Sequence, residues 1–277
     1  LLEILIMKKI VSLVAVATLS MGSASAFAVA ENQAGTVNDC SAVPTYAELS
    51  TALNTALGTT SGGLDFDMWA TVVNRFGVVC AVTSDAGLSG SGTTADPDPW
   101  AGSRVISAQK ANTAVAFSTD GLALSTANLF SAVQPGGSLY GLQHSNPVDV
   151  RVGYLGSPKN YGTATDPMVG LKVGGVNVFG GGLALYNASN VLVGAIGVSG
   201  DFSCADHNIA WKTREALTGL TVANLPGGVG PAITNPVAAN SDNVAYDITV
   251  VDGQGVSTGG WGHPQCNAGV KTVSDTF

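Results

Sequence analysis

The chain has 277 residues, only 11% of them charged, with a net charge of −8 and 36 glycines. An acidic chain without a lysine/arginine cluster is a poor partner for nucleic acid or an anionic membrane surface. No segment reaches the roughly 20 apolar residues a bilayer crossing needs without a charge or a cluster of glycines, so membrane insertion is not expected either.

Residues 1–6 (LLEILI) precede Met7 and read as lying upstream of a translated start. From Met7 the pattern is Lys8 and Lys9, an apolar run, then Ala24-Ser25-Ala26-Phe27-Ala28, which fits a secretory signal peptide cleaved after a small-x-small triplet. The expected organisation is a leader over 1–28, a domain over 29–218 and a C-terminal extension over 219–277, in a periplasmic or secreted protein. With Glu3, Lys8 and Lys9 removed, 18 acidic and 9 basic side chains remain.

Leu49, Leu53 and Leu57 at four-residue spacing predict a short amphipathic helix over 46–57. Residues 68–73 and 78–83 predict a hairpin turning at Arg75-Phe76-Gly77. Residues 84–99 are Ser, Gly, Asp and Pro, a polar loop. Residues 101–119 give the strongest helix, with Val105, Ala108, Ala111, Asn112, Val115 and Ala116 on one broad face, and 122–133 a shorter one. The Gly/Pro/Asn-rich stretch 134–173 is long enough to suggest function or a separately packed excursion. Val176, Val178, Leu183 and Leu185 alternate as in a half-buried strand, Asn187-Ala188-Ser189-Asn190 supplies a turn, and 191–198 returns as a second strand thinned by Gly194 and Gly197. Ser203-Cys204-Ala205-Asp206 has capping-box spacing for a helix running to about residue 217. Beyond it, one strand is expected over 244–251.

Three blocks, in order, resemble the GlcG/HbpS family of small haem-binding domains. Val72-Val73-Asn74-Arg75-Phe76-Gly77 resembles its V-V-D-x-x-G hairpin, and Ser107-Ala108-Gln109-Lys110-Ala111-Asn112-Thr113-Ala114 its A-x-x-K-A-x-T-A helix. The apolar hairpin ending GAIGVSG before the Asp206-bearing helix resembles the third block. Asn74 stands for the usual Asp and Asn177 for the usual Pro. The resemblance spans about 46–217. It implies an α+β fold: an antiparallel sheet with flanking helices on one side, a profilin- or PAS-like layer, here with a long loop-rich C-terminal extension. It also implies a non-catalytic haem-binding protein for scavenging, storage or sensing, with homo-oligomerisation compatible. A PAS-like module for another small ligand is the alternative.

Haem is expected between the 104–117 helix and the 194–200 strand, where Ala108, Ala111, Gly194 and Gly197 would leave a flat slot, with Arg104 or Lys110 for the propionates. His207 is the first candidate for the iron; His144 and His263 are the others. No C-x-x-C-H occurs, so attachment is non-covalent. Four cysteines in an exported chain read as two disulfides. Pairing Cys40–Cys80 with Cys204–Cys266 would pin each extension to the core, whereas crossed pairings would tie the extensions together; the former is the pairing to test. An enzyme reading rests on Ser107-x-x-Lys110 with Ser241-Asp242-Asn243, as in serine penicillin-binding enzymes, but the strand-borne K-T-G is missing.

Overall fold

The computed structural model describes residues 39–85, 100–217 and 242–277. The expected leader and cleavage site, most of the polar loop, Ser241 and residues 218–240 lie outside the described residues. Asp39–Phe277 form one unit, so the described part of the C-terminal extension belongs to the same body as the domain before it.

Helix α1 (Tyr46–Leu57) begins at a capping box, with Thr45 accepting from the Glu48 N–H and the Glu48 carboxylate accepting from the Thr45 N–H. Its Leu49 and Leu53 are fully buried. The hairpin follows as β1 (Trp69–Asn74) and β2 (Val79–Ser84). Helix α2 (Ser103–Phe117) is shorter at both ends than its pattern predicts and is buried almost all round; Ala114 is buried whereas Ala116 is exposed. Strands β3 (Gly182–Tyr186) and β4 (Leu192–Ser199) form the second hairpin, with the Asn187 side chain accepting from the Ser189 and Val191 N–H groups at its turn. Val176 and Val178 lie outside β3 and pack instead in a second apolar cluster with Leu124, Leu129 and Val133. Helix α3 (Ser203–Ala216) completes the domain.

The sheet is antiparallel throughout, in the order β2-β1-β4-β3. Thr71 bonds Ser107 of α2, and Thr83, cross-strand from Ala70, bonds Ser50 of α1. Neighbouring residues of a strand point to opposite faces, so α2 lies on one face and α1, with α3 packed beside it, on the other. The α+β fold is as the resemblance implies, but helices cover both faces rather than one. That is why β1 and β3 are buried at every residue and read as continuous apolar runs.

The 122–133 stretch forms two 3-10 turns, Ala127–Leu129 and Ser131–Val133. The long 134–173 connection is ordered by single helical turns and returns to cover the β2 edge, where Val79 N–H donates to the Leu171 carbonyl at 2.9 Å and Gly170 N–H to that of Val79 at 2.8 Å. The extension holds a hairpin, β5 (Ile248–Val251) with β6 (Gln254–Ser257), and a last helix α4 (Ala268–Ser274) that its Gly-rich composition did not announce. Both disulfides form as Cys40–Cys80 and Cys204–Cys266.

Candidate functional site

The slot expected between α2 and β4 is closed. Ala108 and Ala111 are fully buried against the sheet, and a Cβ placed on Gly197 would collide with the Ser107 carbonyl and the Ala111 amide. Small residues here bring two backbones into contact, leaving no space for a macrocycle. Gly194 does not share that face: three positions from Gly197 on a strand, it points to the other side of the sheet, where an added Cβ would meet Val43.

The two cations assigned to propionates are committed internally. Arg104 is buried with Asp166 in a two-pronged pair (Nε–Oδ2 2.8 Å, Nη2–Oδ1 2.5 Å), donates to the Gly153 carbonyl, and lies over the Tyr161 ring. This pair anchors the long connection to α2. Lys110 Nζ, also buried, donates to Asp206 Oδ2 at 2.7 Å and to the Val198 carbonyl at 3.0 Å. Asp206 in turn accepts from the Gly200 and Asp201 amides at 3.0 and 2.8 Å. It therefore ties the end of β4 to α2, and the capping-box role expected of it is absent: Phe202 is the N-cap and gives no side-chain bond. Burial raises the Asp206 carboxyl to about 6 despite Lys110, and burial lowers Lys110. A third internal pair joins Arg214 of α3 to Asp242 at 2.6 Å.

The Ser107/Lys110 catalytic reading fails on geometry. Ser107 Oγ donates to the Arg104 carbonyl and shares a bond with Thr71, while Lys110 faces Asp206 and Val198. Asp242 and Asn243 of the S-D-N triplet serve the tail, with Asn243 donating to the Ser274 carbonyl.

The histidines separate clearly. His144 is exposed on the single-turn helix Leu142–Ser145. His207, in α3, has no exposed surface, and neither ring nitrogen has a hydrogen-bond partner. Burial lowers its pKa to about 3, helped by His263, Arg214 and Lys110; the nearby Asn243 amide opposes the shift. His263 comes from the tail. Its Nδ1 lies 2.7 Å from the Pro264 carbonyl, its Nε2 accepts from the Gly180 N–H at 3.4 Å, and its ring packs 5.2 Å from that of Phe130. Burial lowers it to about 4. Gly180 is the hinge of this arrangement, since a Cβ there would strike the Ser203 carbonyl and the His207 Cβ. Cys204 and its partner Cys266 close the same corner, and Phe277 stacks on Trp211 at 5.2 Å one turn further on.

Two clefts lie elsewhere. One, of about 620 Å³, runs along α1 from Cys40 to Thr55 and ends at Ala216 and Leu217. The other, of about 490 Å³, is lined by Asp65, Asp67, Asp85, Phe66 and Met68; Trp100 packs on Phe66 at 5.3 Å. Neither holds a histidine or a cation. Among the described residues no group of three or more His, Cys, Asp or Glu is arranged for a metal ion, and no helix is long and apolar enough to cross a membrane.

The model of the HbpS-like family, described as haem degrading protein HbpS-like, matches residues 70–215. The chain belongs to this family. Two solved structures are similar to it. One is titled as a PduOC:heme complex (24% identity, TM-score 0.41, covering 62% of this chain and 90% of that one). The other is Klebsiella pneumoniae protein ORFY (23% identity, TM-score 0.41, covering 64% and 92%). No curated protein matches it.

The matched segment takes in β1 through almost all of α3, so residues 242–277 lie beyond it. Haem iron takes a neutral imidazole. His207 fits as a donor, being neutral at physiological pH with both nitrogens unpartnered. It is wholly covered, however, so the ring can reach it only where the covering residues have moved. Sequence reasoning missed Asp166 and the pairing of Asp242 with Arg214; a lone cation amid Ala and Val, as at Arg104, was the available signal that a buried carboxylate must exist.

Proposed function

We propose that this protein binds haem non-covalently outside the cytoplasm, with His207 as the protein's ligand to the iron. The observation that carries the reading is the HbpS-like match over residues 70–215. It is supported by a wholly buried, unpartnered, neutral imidazole inside the matched segment. The location is inferred from the signal-peptide pattern at Met7 and from four cysteines all paired, as suits an oxidising compartment. Bound haem would supply a redox-active iron. The chain's own contribution is to hold His207 neutral by burial and to exclude water from it.

Binding without turnover is the first reading; the family's description favours a second, in which bound haem is consumed. Titration of haemin into the full chain, both as purified and after reduction and alkylation of its disulfides, tests the proposal. A shifted, saturable Soret band in either form supports it, and no band in either form refutes it. Following that band with an electron donor under air separates the readings: it persists for a carrier and decays for a degrading enzyme.

A further inference from the structure

The two disulfides differ in what surrounds their sulfurs. Cys40 lies in a loop and Cys80 in β2, whereas Cys204 is the second residue of the 14-residue helix α3. The Cys204 sulfur accepts the Cys266 N–H at 3.2 Å and lies 3.8 Å from His263 Nδ1. Cys204 is fully buried while Cys266 is exposed. A thiolate at a helix start with an N–H aimed at it has lowered proton affinity, and a thiol of low proton affinity leaves a disulfide fastest. The exposed half is thus open to attack; at the buried half the helix start and the Cys266 N–H favour the thiolate, against its burial and the Pro264 carbonyl 3.3 Å from the sulfur.

Away from this disulfide the tail is anchored at its two ends, by the buried Arg214–Asp242 pair and by Phe277 stacked on Trp211. Beside the disulfide its apolar contact with α3 is a small cluster of Cys204, Ala205 and Val270 with Tyr246 against it. Most of the rest is polar: Asn208 Nδ2 donates to the Val270 carbonyl at 3.0 Å, Ser274 Oγ to Asn208 Oδ1 at 2.7 Å, and Gly180 N–H to His263. His207, three residues along α3 from Cys204, is close enough to His263 of this segment to feel its charge.

We infer that Cys204–Cys266 is an exchangeable latch: a dithiol reductant opens it, the segment carrying His263 and Cys266 lifts, and His207 is uncovered. In the first step a thiolate of the dithiol bonds to Sγ of Cys266 and the S–S bond breaks, with Cys204 leaving as thiolate. The dithiol's second sulfur then displaces Cys266. The dithiol ends as a disulfide, and the protein gains two electrons and two protons. The ligand that His207 then takes rests on the haem reading; the latch does not.

The test uses the full haem-free chain under native conditions, treated with increasing dithiothreitol, alkylated and peptide-mapped, with histidine acylation by diethylpyrocarbonate in parallel. Cys204 and Cys266 should become alkylated at a dithiothreitol level roughly tenfold below that opening Cys40–Cys80. His207 acylation should then rise roughly tenfold while far-UV circular dichroism is retained. Opening of Cys40–Cys80 first or together with the other overturns the latch, as does a His207 that stays unmodified once Cys204 and Cys266 are alkylated. Haemin added afterwards separates the two claims: exposed His207 with no Soret band refutes the haem reading and leaves the latch standing. Equal haem uptake by closed and opened protein refutes the link between them and leaves haem binding standing.

Discussion

Where α2 crosses β4, Ser107 and Ala111 meet Gly197 backbone to backbone; where the tail crosses α3 near an unpartnered histidine, it is held by a disulfide, hydrogen bonds, a small apolar cluster and the Arg214–Asp242 pair. The first contact belongs to a sheet layer buried on both faces and has no second arrangement available. The second is made by residues beyond the family match and is held by a bond that chemistry can reverse. Small residues in a helix–sheet contact mark closeness, not vacancy. A ligand site is better sought where a polar group is buried without a partner.

Filling the first contact should be the most damaging change. Gly197→Leu places a side chain inside backbone atoms of α2, so the loss should exceed roughly 3 kcal/mol, read as the absence of a cooperative urea transition. Retention of a wild-type transition midpoint would mean that a real slot exists there. Lys110→Ala should follow, since it strands Asp206 in the interior at about 3–5 kcal/mol, measured by the same melts. Little change would show that the pair is hydrated and the layer looser than described.

Cys266→Ser removes a constraint across 62 residues, worth about 4 kcal/mol in the chain-entropy model. Its effect should stay local, with limited proteolysis cutting within 242–277 while β1–β4 and α2 survive. A tail as resistant as wild type would show that its polar contacts suffice. The smallest effect is that of pH on the haem-free protein. Between about pH 4 and 6 the unfolded chain carries a proton on both His207 and His263, whereas the folded protein holds one on Asp206 only. The unfolded state thus binds one proton more, and stability should fall by about 1.4 kcal/mol per unit of acidification, seen as a falling melting temperature. A flat profile in that window would place the histidines in contact with water.

Much of the layer was legible because local signals agreed with burial: the Thr45–Glu48 box, the leucine spacing of α1, the turn at Arg75-Phe76-Gly77 and the Asn187 turn all appear as read. The site was less legible. Gly194 and Gly197 look like one glycine-rich surface in the sequence, but strand alternation sends them to opposite faces. Arg104 and Lys110 look available in a chain with few cations, yet Asp166 and Asp206, 62 and 96 residues away, take them up. Such long-range pairing leaves no local periodicity. Cysteine chemistry crossed that gap, and the expected Cys204–Cys266 pairing places the tail over α3.

The central claim, that haem iron is taken by His207 and not in the α2–β4 contact, is tested most directly by haemin spectra of the opened protein. The Soret maxima of His207→Ala, His144→Ala and His263→Ala should be compared with wild type. The account predicts that His207→Ala alone displaces or abolishes the band. A wild-type band in His207→Ala, or a displacement only in His144→Ala, would contradict it.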